Sequence, residues 1–162
     1  MKRIKFIEDA FPVNDEEAYK GYPHFRQLFN KLFVMKSQNI RSGKMKEIPD
    51  KFPVFVKPII NLQGSNRDCS VVHNLEQYKL LMNNDKLFWS EFLTGREKST
   101  DIFLHNGKIV FKMTYVIKIA DDDNFLEDYK RIYGNSYPVS KKLLNWTTKH
   151  YKNHTGIVNI QY

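Results

Sequence analysis

Cysteine is nearly absent: Cys69 stands alone in 162 residues. No internal disulfide can form, which fits a reducing, cytoplasmic setting. That one thiol and five dispersed histidines give no zinc-ligand spacing. Glycine is scarce at seven residues, and neither G-x-x-x-x-G-K-[ST] nor G-x-G-x-x-G occurs. Any backbone cradle for phosphate must therefore lie near Gly64 or Gly95. H-E-x-x-H and the G-x-S-x-G nucleophile elbow are missing too. No apolar run approaches the roughly 18 residues that a membrane span needs. The opening MKRIKFIEDAFPVND is basic but has no apolar stretch behind it, so it does not read as a secretory signal.

What is present is an ordinary globular mixture, 41% hydrophobic and 27% charged, rich in Phe and Tyr for a core. The net charge is +8. Lysine accounts for most of it, scattered along the chain as in Lys44, Lys46, Lys141, Lys142, Lys149 and Lys152. There is no Arg-rich arm and no aromatic RNA-binding signature, so the charge does not read as a nucleic-acid-binding surface. The positive balance favours anionic ligands in general, nucleotides included.

Residues 1–20 read as an extended lead-in with an acidic cluster at Asp15–Glu17. Phe25, Leu28, Phe29, Leu32 and Phe33 recur at helical spacing, and Pro23 suits a helix start, so one helix is predicted to about Gln38. Ser42–Asp50 reads as a polar connection. Phe52–Pro58 is a buried strand ending in Lys57, and Asn61–Asp68 is a polar loop around Gly64. Ser70–Val72 is a short strand. Leu75–Met82 is a helix with Asn74 as its N-cap, and Leu87–Leu93 a second apolar strand. Asn106-Gly107 between two β-rich runs, Ser99–Leu104 and Lys108–Lys118, is a strong hairpin signal. Asp121–Asp123 opens an acidic loop, and Tyr133–Pro138 reads as a turn. A helix begins near Ser140, and Gly156–Tyr162 is a final strand. The class is α+β.

Two stretches carry candidate chemistry. Lys57 ends a rigid apolar strand just before a glycine-containing loop, where an ammonium and backbone N–H groups can neutralise a polyphosphate. The alternative is a strand-end lysine reaching to water. In Trp89–Asp101 an apolar strand meets a glycine turn, with Glu97 and Asp101 following. Such a hinge can offer backbone N–H and C=O to an adenine edge and a carboxylate to ribose hydroxyls. The alternative is an ordinary loop with solvated charges.

Together, F-P-V-F-V-K-P, the N-L-Q-G-S-N loop, E-F-L-T-G-R-E-K-S-T-D-I-F and the N-G hairpin resemble the nucleotide-binding half of an ATP-grasp protein, over about residues 30–162. The fold this implies is α+β, with mixed or antiparallel sheets and packed helices, arranged as a lead-in and helical segment over 1–50, a small lobe over 51–97 and the start of a second subdomain over 98–162. By the same resemblance, Lys57 meets the ATP phosphates, and Gly64 and Ser65 belong to a loop closing over them. Glu91, Phe92 and Leu93 form the adenine hinge, and Glu97 holds the ribose. Asn30-Lys31 resembles the family's upstream D-K, with Asn in place of Asp and a short gap to Lys57; a surface lysine is the competing reading of Lys31.

The family's Mg²⁺ ligands are carried on strands near the C-terminus. Gly156–Tyr162 resembles the strand just ahead of them, so magnesium ligands are expected beyond Tyr162 and the chain is expected to be a truncated or split product. Asp121–Asp123 lacks the convergent geometry Mg²⁺ demands. Cys69 reads as a packing residue with no cationic neighbour. The expected activity is that of a ligase-like protein that binds ATP, activates a carboxylate as an acylphosphate for an amine or thiol, and does not turn over alone. Alternatives are a non-catalytic adaptor on the same fold, paired with a second copy or a missing C-terminal half, and a basic nucleic-acid binder.

Overall fold

A computed structural model describes residues 14–63, 67–95, 98–119, 129–132 and 138–161. Gly64, Ser65 and Glu97 lie outside the described residues, as do Asp121–Asp123 and Tyr133–Tyr137. The chain divides into two units, Met1–Phe92 and Leu93–Tyr162, and each holds one antiparallel four-stranded sheet.

The first unit opens with α1 (Asp15–Gly21), where an extended lead-in was expected. Asn14 Oδ1 accepts from the Glu17 N–H at 3.0 Å, and the acidic cluster fills the first turn, where carboxylates complement exposed N–H groups. The single helix expected from Pro23 is instead a 3₁₀ segment, Pro23–Phe29, followed by α2, Lys31–Ser37. Asn30 makes the break. Its backbone is extended, and its Oδ1 accepts from the Phe33 N–H at 2.9 Å, so an apolar stripe that continues on paper is interrupted by a cap.

The sheet runs in the order β1 (Ser42–Lys44), β4 (Leu87–Glu91), β2 (Val54–Pro58), β3 (Ser70–Val72). β1 corrects the expected polar connection: Gly43 sits opposite Trp89, and Met45 just beyond is buried. β4 stops at Glu91, two residues short of its expected end. One face of the sheet presents Val54, Val56, Val72, Leu87 and Trp89 to Tyr78 of α3 (Leu75–Leu81). The Tyr78 hydroxyl donates to the Met45 and Glu47 carbonyls at 2.9 and 3.0 Å. Asn74 caps α3 as its sequence position predicts. Side chains alternate along β2, so Phe55 and Lys57 fall on the opposite face.

The second unit runs β7 (Tyr129–Ile132), β6 (Lys108–Ile119), β5 (Lys98–His105), β8 (Gly156–Gln161). The Asn106-Gly107 turn has φ of 48° and 74°, the double positive that a tight hairpin requires and that Asn and Gly accept. Ile102, Leu104 and Val158 make the core, with Leu144 of α4 (Lys141–His150) and Tyr151 packed against it. On the other face Phe111, Phe103 and Ile157 stand opposite one another across three strands, all exposed.

Candidate functional site

Lys57 is the centre of the candidate site in the first unit. Its Nζ lies 5.4 Å from the centre of the Phe55 ring and 5.5 Å from that of Phe88, its cross-strand partner. Phe88 is fully buried, so the amine sits against apolar walls. Burial is the main reason its pKa falls to about 8, with the positive charge of Lys31 adding to it and Cys69 opposing. Ring faces attract an ammonium, but the loss of water outweighs them.

Backbone hydrogen bonds bring the two lysines to one place. The Lys31 N–H at the start of α2 donates to the Ile59 carbonyl at 2.8 Å, two residues past Lys57. Ile59 N–H in turn donates to the Lys86 carbonyl at 2.8 Å, beside β4. Asn30, the residue standing where the resemblance calls for Asp, caps the helix that carries Lys31. Among the described residues no carboxylate forms an ion pair with either lysine.

Cys69, half-buried, shares this neighbourhood, which corrects the expectation that it has no cationic neighbour. Burial pushes its thiol up; Lys31 and Lys57 pull the other way and do not prevail. Its Sγ reaches the Arg67 carbonyl at 3.6 Å. In the loop Asn61 and Leu62 are half-buried, and Gln63, Arg67 and Asp68 are exposed. Asn61 Oδ1 accepts from Gln63 N–H at 3.1 Å, and Arg67 donates to Gln63 Oε1 at 2.6 Å.

Glu91 ends β4 already engaged by Arg41. Its N–H donates to the Arg41 carbonyl at 2.8 Å, and its carboxylate accepts from the Arg41 N–H at 3.4 Å with Arg41 Nε at 3.8 Å. The same guanidinium pairs with Asp50 and lies 5.9 Å over the Trp89 ring. Hydrogen bonding to Arg41 holds the Asp50 carboxyl below its ordinary range. Phe92 and Leu93 follow, both exposed. Sequence reasoning singled out Glu91 but missed Arg41, and no local signal marks a partner fifty positions away.

In the second unit Asn159 on β8 donates to Ser99 Oγ at 2.8 Å and to Asp101 Oδ1 at 2.6 Å across the β5–β8 pair. Among the described residues no group of three or more His, Cys, Asp or Glu could hold a metal ion. No described helix is long and apolar enough to cross a membrane.

No family model matches the sequence. The D-alanine--D-alanine ligase of Petrotoga mobilis is 24% identical over 140 residues, 82% of this chain and 45% of that protein. Among solved structures, the carboxyaminoimidazole ribonucleotide synthase of Aspergillus clavatus, complexed with ATP, superposes with a TM-score of 0.59 at 10% identity, over 90% of this chain and 45% of that one. The N5-carboxyaminoimidazole synthetase of Staphylococcus aureus, complexed with ADP, gives 0.58 at 13% identity, over 84% and 41%. The chain thus spans less than half the length of each of these three proteins. Over that span it has the ATP-grasp fold, an α+β arrangement of antiparallel sheets with packed helices.

Proposed function

We propose that this chain is the ATP-binding part of a ligase of ATP-grasp type, which activates a carboxylate as an acylphosphate for attack by an amine or a thiol. The observation that carries the reading is the nearness of Lys31, tied through its N–H to the Ile59 carbonyl, to Lys57, without an acidic partner among the described residues. Two ammonium groups held together by backbone hydrogen bonds repel each other, and a polyphosphate relieves that repulsion. When a phosphoryl group transfers, the same charges oppose the negative charge on its oxygens. That both solved relatives were complexed with adenine nucleotides supports this ligand class.

In this reading Glu91, Phe92 and Leu93 meet the adenine through backbone atoms, Glu97 holds the ribose, and Gly64 and Ser65 close over the phosphates. The engagement of the Glu91 carboxylate by Arg41 fits a backbone role. The described residues do not fit a magnesium site. For this chain, which spans less than half of each of the three similar proteins, the proposal is limited to nucleotide binding without turnover.

The test is thermal unfolding of the chain with and without ATP, at fixed salt, in the presence and absence of magnesium. Saturation near 100 times Kd stabilises by about 2.7 kcal/mol. A clear rise in Tm with ATP, smaller with inorganic phosphate and abolished in Lys57→Met, is expected. A folded chain whose Tm ignores millimolar ATP would sink the reading. Salt-steep binding of nucleic acid, untouched by ATP, would favour the basic binder instead.

A further inference from the structure

Lys57 has a property that phosphate binding does not use. Its amine lies 5.4 and 5.5 Å from the centres of the Phe55 and Phe88 rings, has no ion-pair partner among the described residues, and feels the charge of Lys31. Burial and the charge of Lys31 favour the neutral amine over the ammonium, against the pull of the ring faces. With a pKa of about 8, about a quarter of Lys57 is neutral at pH 7.5, against roughly 0.1% of an ordinary lysine. A neutral amine is a nucleophile, and desolvation beside a second cation is a known way to make one. The electrophile that suits this pair carries its own negative charge, for Lys31 to hold, next to a reactive carbonyl carbon.

We propose that Lys57 is an acylation site for small acyl phosphates, with Lys31 holding the phosphate that leaves. The Lys57 nitrogen attacks the carbonyl carbon and a C–N bond forms. The bond between that carbon and the bridging oxygen breaks, and the electron pair departs with inorganic phosphate onto Lys31. The amine proton passes to solvent. The product is a neutral amide, with no change in oxidation state. An acylated Lys57 has lost the charge that the nucleotide reading needs, so the modification switches ATP binding off. Cys69 is the competing nucleophile; burial pushes its thiol up, and a thioester there is cleaved by hydroxylamine, whereas an amide survives.

The probe is millimolar acetyl phosphate on the full chain without nucleotide, read by peptide mass mapping over time. A weaker base is a poorer nucleophile, which offsets part of the gain in neutral fraction. Lys57 is expected to be acetylated about tenfold faster than the exposed Lys79, with a rate that climbs from pH 7 to 9. Lys31→Gln should reduce the acetyl phosphate rate more than the rate with a neutral acetyl ester, and inorganic phosphate should protect the unsubstituted chain more strongly from the first reagent than from the second. The protection experiment needs no variant, so misfolding of Lys31→Gln does not block the test. Labelling of Lys57 no faster than Lys79, equal protection against both reagents, or a hydroxylamine-labile label on Cys69 would overturn the proposal. The nucleotide reading is tested separately by the ATP-dependent Tm, so either can fail while the other stands.

Discussion

The two units use the same plan, four antiparallel strands with a helix on one face, to opposite ends. In the second sheet the helix-covered face is quiet: Ile102 and Leu104 are fully buried, and the buried Thr100 and Thr114 hydroxyls bond each other at 2.8 Å. In the first sheet the face against α3 is equally apolar, but the reverse face carries Lys57 against Phe88 with Lys31 alongside. One sheet has its polar groups matched among themselves. The other keeps two like charges together, at a cost in stability that an anionic ligand would offset. Sites that bind are commonly built this way, with the fold carrying the strain.

Breaking the quiet side should have the largest effect. Ile102→Ala removes a fully buried side chain and is expected to cost about 2–5 kcal/mol in urea unfolding followed through the second unit. Phe103→Ala, one residue along on the exposed face, should cost under about 1 kcal/mol. Equal losses would mean that Phe103 is covered in solution.

On the charged side the sign reverses. The folded pKa of Lys57, about 8, lies below the unfolded value near 10.4, so the unfolded chain binds more protons between those limits. Lys57 therefore costs stability below pH 8, and the cost fades as pH rises toward 10.4. Lys57→Met should raise stability at pH 7 on the order of 1–3 kcal/mol, with the gain vanishing near pH 10.5. Unfolding curves at pH 7 and pH 10 decide it; a loss at pH 7 would place Lys57 in the same class as the matched groups of the second unit.

The smallest effect belongs to Arg41. Its ion pairs with Asp50 and Glu91 are partly solvated, so Arg41→Ala should cost under about 1 kcal/mol. The clearer readout is the Asp50 carboxyl, which an NMR pH titration should find moved up toward its ordinary value.

How much of this could be read from the sequence follows the distance over which each feature is decided. The Asn106-Gly107 hairpin and the Asn74 cap are settled within four residues, and both are present as read. Lys57 at the end of an alternating strand was equally local. β1 was not: Ser-Gly-Lys has no strand character of its own and becomes a strand only by pairing with β4 some forty-five positions on. α1 was missed although its signal, Asn14 ahead of three acids, was in view. The nearness of Lys31 to Lys57 depends on a hydrogen bond to Ile59, and the hold of Arg41 on Glu91 on sheet order; neither leaves a trace in spacing.

The order of the second sheet also sets a timetable. β5 pairs on one edge with β6, its neighbour in sequence, and on the other with β8, about fifty residues later. On a ribosome adding roughly 5–20 residues per second, the completed hairpin waits about 2–8 s before β8 has been synthesised. For that interval the β5 edge offers unpaired N–H and C=O groups beside Phe103, a template for any extended segment that arrives first. Newly made chains are at their most adhesive then, and the Gly156–Gln161 strand acts as its own late-arriving protector.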